Sequence, residues 1–361
     1  MDAGNATNFT RIGPNTTDIK AYITYPGWLT FWFIVMIFLC ILGAFSNSLL
    51  FMAIVTSRKL RKGSGTLIAH SILIEAFLCV IGVPLIMAST YMPQFGWPSK
   101  TMCKWTMLLF YGPIFAGTWA SVLIAINRFV AIFFPHVYSK LTTPPLLALV
   151  IALGWAVALA SSVPMFFEAG GISVGATKPW YACGARQEKP GYLYNFLVTV
   201  GTTAPAVALG VIYVSIFTLV IIRALIFRRK IDTTDKAAVA RNQRAQAMTQ
   251  KRLKMARMLF VSYIWFTVCY MPAPVTASVA PVLYGTSPLV SLFLRMLLEI
   301  GYATSPVIYL TMNAEYRSAA KRVLYRILRL CRPSLLIRDD TIKIVTEYEM
   351  GKTPTNNGIS A

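Results

Sequence analysis

The stretch "LIAINRFVAIFFP" (residues 123–135) ends a long apolar run on an arginine. From Trp105 to Ile126 no residue is charged, and then Asn127, Arg128 and Phe129 follow. A guanidinium stays ionised at any physiological pH, so a helix apolar enough to lie in lipid must reach water where this run stops. Outward from it, the same character recurs. Trp28–Val55, Leu146–Phe167, Tyr192–Ile222 and Met258–Leu283 carry no charge at all. About 20 apolar residues, rising roughly 1.5 Å each, cross a hydrocarbon core of ~30 Å. Three further runs complete a set of seven: Leu67–Tyr91 with His70 and Glu75, Cys103–Phe134, and Ser291–Leu310 with Arg295 and Glu299. The 361 residues are 56% hydrophobic and 13% charged, where soluble domains average about 25% charged. The reading is an all-α membrane protein, a seven-transmembrane helix bundle. Buried helices of a soluble core are the alternative, and those are rarely this long.

Basic residues set the expected orientation. With the N-terminus outside, the inner segments hold 26 of the 34 lysines and arginines: a cluster at Arg58–Lys62, Arg128 and Lys140, the run Arg223–Arg257, and everything from Arg317 onward. The net charge of +21 is then mostly an inner-face charge. It suits an anionic inner leaflet and calls for no nucleic acid. Three glycosylation acceptors, Asn5, Asn8 and Asn15, fall on the side the charges place outside. The first run follows a polar tail and is too long for a signal peptide, so it reads as a retained anchor. The expected organisation is an extracellular glycosylated tail (1–27), the bundle (28–311), an amphipathic eighth helix (313–331) and a disordered cytoplasmic tail (332–361), in the plasma membrane.

The six cysteines fall into sets. Cys40, Cys79 and Cys269 lie inside spans and read as buried thiols. Cys103 opens the third span and Cys183 sits in the outer loop 168–191, both in an oxidising compartment. They are expected to form a disulfide, with two free thiols as the alternative. Cys331 follows a basic amphipathic stretch in which Tyr316, Ala320, Val323, Leu324 and Ile327 recur at helical spacing. It is a candidate for palmitoylation at the inner interface.

Motif spacing then separates a receptor from a pump or transporter. Cys103 and Arg128 are 25 residues apart, or ~37 Å of helix, which puts one at each mouth of the bundle. Asn47 stands in "GAFSN", Glu75 in "SILIEAF", Asn127, Arg128 and Phe129 in "INRF", Phe266, Tyr270 and Pro272 in "FTVCYMP", and Ser305, Pro306 and Tyr309 in "SPVIY". With Trp155, Pro205 and Tyr213 in place between them, the chain closely resembles rhodopsin-like (class A) G-protein-coupled receptors over residues 28–331. Its Asn-Arg-Phe and Cys-Tyr-x-Pro variants suggest the melatonin-like and invertebrate orphan groups. The resemblance implies a heterotrimeric G protein as partner, with arrestin and receptor kinases as further partners, and no covalent chemistry by the receptor itself. It also implies roles. Asn127, Arg128, Phe129, Tyr213, Phe266, Tyr270, Pro272, Ser305, Pro306 and Tyr309 would form the activation switch, and Asn47 and Glu75 the buried polar core.

Departures from the family pattern sharpen the expectations. Asn127 replaces the acid beside Arg128, and Arg252 stands where the sixth span often supplies a second one. Raised basal signalling is expected, unless hydrogen bonds from Asn127 hold Arg128 equally well. Gly117 lacks the third-span hydroxyl and Ser305 replaces the seventh-span asparagine, so sodium is not expected at Glu75. No cofactor or metal is called for. The candidate ligand pocket is Met107, Phe110, Tyr111, Tyr270, Arg295 and Glu299. Phe110 replaces the acid of amine receptors, and Glu299 takes the place of the retinal lysine of opsins. Arg295 and Glu299 are four apart on one helix face. Either Arg295 receives an acidic group of the ligand, or the two form an internal ion pair. The expected ligand is a small apolar or acidic molecule, a lipid or a peptide. The rival from another class is a proton-coupled transporter using Glu75 and Glu299, which would more often show repeats and interrupted helix pairs.

Overall fold

The structure, a computed structural model, describes residues 20–61, 64–94, 96, 98–188, 191–229 and 260–331. Five helices are long and apolar enough to cross a membrane: Pro26–Thr56, Ser64–Tyr91, Lys100–Phe133, Pro144–Phe166 and Leu193–Ile222. The sixth span is seen as a helix Phe260–Tyr270, a bend at Met271, and a helix Pro272–Val279. The seventh is Pro288–Met312, and an amphipathic helix Ala314–Cys331 follows it. Asn5, Asn8, Asn15, Arg252, the helical extension expected ahead of Met258 and the tail 332–361 lie outside the described residues.

Local chemistry sets the boundaries. Pro26, Pro144, Pro272 and Pro288 sit in the first turns of their helices, where a missing N–H costs nothing. Ser99 caps the third span by accepting from the Met102 amide at 3.1 Å. Asn313 does the same for the eighth helix through the Glu315 amide at 2.9 Å. Arg317 returns to donate to the Thr311 carbonyl at 3.0 Å, closing the end of the seventh span. In the first span, one stripe at helical spacing is buried: Leu29, Trp32, Met36, Cys40, Gly43, Asn47 and Leu50. Phe31, Ile34, Phe38, Ile41 and Phe45 on the other side are exposed. Apolar surface of that kind is what lipid contact requires.

Two prolines inside spans impose the long-range polar contacts. Pro306 has no N–H, so the carbonyl one turn back, on Tyr302, loses its helical donor. Asn47 of the first span supplies the replacement, its Nδ2 lying 3.0 Å from that oxygen. Beside it, Ser46 donates to the Ala303 carbonyl at 3.0 Å. Pro205 acts likewise in the fifth span, where a π turn, Thr199–Thr203, precedes it. The exposed carbonyls of Gly201 and Val200 accept from Thr118 Oγ1 at 2.7 Å and from Trp119 Nε1 at 3.2 Å, both on the third span. The prolines thereby join the first span to the seventh and the third to the fifth. Trp155 Nε1 donates to His70 Nε2 at 2.8 Å and joins the fourth to the second.

One end of the bundle is covered by an antiparallel hairpin that sequence patterning does not announce. Its strands, β1 (Ile172–Thr177) and β2 (Ala182–Gln187), pair from Ile172 with Gln187 to Thr177 with Ala182. The disulfide between Cys103 and Cys183 ties β2 to the third span. Trp180, fully buried, donates from Nε1 to the Pro288 carbonyl at 2.9 Å. A short helix, Lys20–Thr24, lies within the segment read as tail. Its Tyr22 hydroxyl bonds the carbonyls of Thr90 and Trp180. Glu168 joins hairpin to bundle, with Lys100 at 2.9 Å, Lys104 at 3.1 Å and the Val174 amide at 3.1 Å. Burial disfavours its charged form, but the bonds from Lys100, Val174 and Lys104 outweigh this and hold the carboxyl at about 2, below its usual 4.5.

Asn47→Leu is expected to lower thermal stability in lipid nanodiscs by about 0.6–2 kcal/mol, the range for polar contacts between spans. The loss should shrink in a Pro306→Ala background, because residue 306 then supplies the N–H itself. An equal loss in both backgrounds would show that Asn47 acts elsewhere. Glu168 has a lowered pKa in the folded state, so its contribution is present above about 4.5 and is lost as pH falls through about 2. Amide exchange over β1, compared between wild type and Glu168→Gln at matched pH, should differ at pH 7 and converge below that window.

Candidate functional site

Beneath the hairpin the third, fifth, sixth and seventh spans enclose a cavity of about 480 Å³. Met107, Phe110, Tyr111, Tyr270 and Arg295 of the sequence-derived pocket line it, together with Thr118, Tyr181, Tyr194 and Tyr284, which the sequence did not single out. Glu299 is not among the lining residues. Its carboxylate turns toward the first and second spans, where the thiols of Cys40 and Cys79 face it. Neither carboxylate oxygen meets the geometry of a hydrogen bond there. Arg295 instead donates to Thr90 Oγ1 at 2.6 Å. Among the described residues no ion pair joins Arg295 and Glu299. Spacing of four residues places two Cα atoms on one face, but a long arginine and a shorter glutamate reach different heights along the helix.

Tyr270 forms the floor. Its ring stacks on Phe266 with centroids 4.6 Å apart and meets Tyr302 edge-on at 4.9 Å. The close fit to the seventh span depends on Gly301, where an added Cβ would lie 2.7 Å from the Tyr270 ring. Below Tyr270 lies a second, smaller cavity of about 60 Å³, lined by Ser71, Glu75, Ser121, Tyr213, Phe266, Ser305 and Tyr309 among others. The Ser305 hydroxyl faces the Glu75 carboxylate across this space. Tyr270 touches both spaces. A small intervening space lined by Ile114, Thr118, Ser121, Phe266 and Tyr270 lies between them.

At the far end, Arg128 is half-buried and turned into the bundle. It donates to the Tyr316 hydroxyl of the eighth helix, with Tyr213 and Tyr309 in its field. Tyr309 and Tyr316 pack with centroids 6.0 Å apart. By sequence Tyr316 is an apolar position at the start of the amphipathic helix, and its hydroxyl is the hint of a polar role. Asn127 faces away from Arg128: Tyr138 donates to its Oδ1 at 3.5 Å, and the same Tyr138 hydroxyl accepts from the Ser64 amide at 3.3 Å. Phe129 packs along its own helix against Phe133 and Phe134. Cys331 closes the eighth helix.

Tyr316→Phe removes the hydroxyl that receives Arg128 while keeping the ring in its packed place. The expected result is an increased mobility of a spin label on the eighth helix with little change in thermal stability. An unchanged label spectrum would show that ring packing alone holds the helix.

The comparisons agree with this architecture. Residues 46–309 match the model of the 7 transmembrane receptor (rhodopsin family). The chain is 22% identical to protein trapped in endoderm-1 of Drosophila melanogaster, covering 78% of this chain and 74% of that one. It is 23% identical to melatonin receptor type 1B-B of Danio rerio, over 66% and 64% respectively. It is 22% identical to the allatostatin-A receptor of Bombyx mori, over 80% and 78%. With a seven-helix bundle, a hairpin-capped cavity and the motif residues in one matched segment, the chain belongs to the rhodopsin family of 7 transmembrane receptors, multi-pass membrane proteins that signal through G proteins and are not enzymes.

Proposed function

We propose that a ligand entering the hairpin-capped cavity drives this receptor to activate a heterotrimeric G protein at the Arg128 end. The observation that carries the proposal is the position of Tyr270, which floors the ligand cavity and walls the polar space leading to Tyr213 and Tyr309. The sixth span is the element suited to move. Pro272 withdraws the donor for the Val268 carbonyl. Among the described residues no side chain is recorded as donating to that carbonyl, unlike those below Pro205 and Pro306. A proline-weakened turn without such a tie is where a helix bends.

In this reading the hairpin and the tail 1–27 face the cell exterior, and the eighth helix and the tail 332–361 face the cytoplasm of a plasma-membrane receptor. The basic residues of the inner segments support that orientation. A ligand acts by binding the open arrangement better than the closed one, and only that difference in affinity moves the population. Arg128 then leaves Tyr316 and presents its guanidinium to the docking helix of the G protein. Arrestin and receptor kinases would use the same opened face. Glu75, facing Ser305 with Gly117 on the facing span, serves as a polar spacer in this scheme and takes no sodium ion.

Asn127, where the family motif has an acid next to Arg128, sets the resting level. Asn127 bonds Tyr138, so no carboxylate from its own motif restrains the arginine. Guanine-nucleotide exchange on purified heterotrimers of the main classes, measured with receptor in nanodiscs, tests this. Ligand-free exchange is expected with at least one class. Arg128→Ala should abolish it, and Asn127→Asp should reduce it roughly 5-fold or more, the low end of a typical coupling energy. Exchange that survives Arg128→Ala would overturn the coupling site, and an unchanged rate in Asn127→Asp would overturn the counter-charge argument.

A further inference from the structure

We infer that the hairpin-capped cavity takes an anionic amphiphile: one acidic head group, carboxylate or phosphate, on the Arg295 guanidinium, and an apolar body along Met107, Phe110 and Tyr270. The inference deepens the receptor reading of this cavity.

The head-group site follows from the charges. A guanidinium within a span is costly and persists where something compensates it. It carries five N–H donors in a planar fork suited to two oxygens of one acid. The bond recorded for Arg295 is to Thr90 Oγ1. Thr90 in turn donates to the Ile86 carbonyl at 2.7 Å, so its oxygen is oriented to accept. That contact anchors the fork and contributes no negative charge. Candidate acids are engaged elsewhere. Glu168 belongs to Lys100 and Lys104, Glu188 pairs with Arg186 at 2.7 Å, and Glu299 faces Cys40 and Cys79. Among the described residues no carboxylate lines the cavity, whereas Lys178 lines its hairpin side and adds a further cation, and Arg186 beside it is paired with Glu188. An amine would meet only like charge.

The body site follows from the remaining wall. Met107, Phe110, Ile114, Leu294 and Leu298 make it apolar. Tyr111 lies beside Tyr194 and in the field of Arg295, so a phenol stands near the guanidinium for a second contact to the head. The volume of about 480 Å³ falls in the usual range for small-molecule sites, roughly 300–1,000 Å³.

The test uses the full-length receptor in nanodiscs of uncharged phosphatidylcholine, with four probes that share one chain: dodecanoate, dodecyl phosphate, dodecanol and dodecylamine. Binding is read as thermal stabilisation across a concentration series. The two acids should bind better than dodecanol, and dodecylamine least. Arg295→Gln should weaken the acids about 10-fold or more while leaving dodecanol unchanged, as loss of a charge-assisted hydrogen bond predicts. Arg295→Lys, which keeps the charge and loses the fork, should fall between, and it carries the test if Arg295→Gln fails to fold. The tighter of the two acids identifies the head group. Dodecanol binding as well as the acids, or acids binding wild type and Arg295→Gln alike, would overturn the inference. Nucleotide exchange is measured in parallel. Arg295-dependent acid binding without a change in exchange leaves this inference standing and removes the receptor reading of the cavity. Acid-driven exchange that is indifferent to Arg295 does the reverse.

Discussion

Inside lipid a backbone carbonyl that loses its donor finds no water, so a neighbouring side chain must provide one. That constraint organises this bundle. Pro306 and Pro205 each strip a donor from the helix they interrupt, and Asn47, Thr118 and Trp119 restore it from another span. The ties are short and buried, and they cross between segments distant in the chain. Two pairs of spans are thereby held together at the level of the membrane interior. The sixth span has a proline at its bend and no such tie recorded among the described residues. Stiffness and hinge thus come from the same residue type, distinguished by whether a neighbour answers the missing N–H.

The second organising fact is how Arg128, Glu75, Glu299 and Arg295, four charged groups inside the described spans, are separated. Arg128 lies against three tyrosines, Glu75 faces Ser305, Glu299 faces two thiols, and Arg295 is anchored by Thr90. The two arginines sit toward opposite mouths of the bundle and the two glutamates between them. Arg295 lines the upper cavity, anchored by a neutral hydroxyl. A charge kept in that condition is poised for a partner of opposite sign. The exposed pair Lys59–Glu315, 2.7 Å apart, has a different standing. It lies in solvent-like surroundings and contributes little, though it joins the turn after the first span to the eighth helix.

The hairpin completes the arrangement by giving the ligand cavity a roof that is part of the bundle. The disulfide, Trp180, Tyr22 and Glu168 fasten it at four separate points to the third span, the start of the seventh, the end of the second and the lysines of the third. A roof held this way is fixed to the spans that line the cavity.

The number of spans, their order and the family to which the motif residues point were legible in the amino-acid sequence. These follow from hydrophobic length and fixed spacing, both properties of a one-dimensional string. The amphipathic eighth helix was legible for the same reason. The β1–β2 hairpin was not, because strands of alternating small residues such as those at 172–187 carry weak patterning and depend on contacts with Trp180 and Cys103. Nor were the partners of the buried charges. Residues 295 and 299 share a face by spacing, yet what each side chain reaches depends on its length and on which neighbours stand at its height. The same holds for Tyr316, an apolar position by periodicity and a hydrogen-bond acceptor for Arg128 in the fold. Sequence determined which residues enter the membrane; only tertiary packing decided which polar atoms meet there, because in the absence of water each must find its partner in another helix.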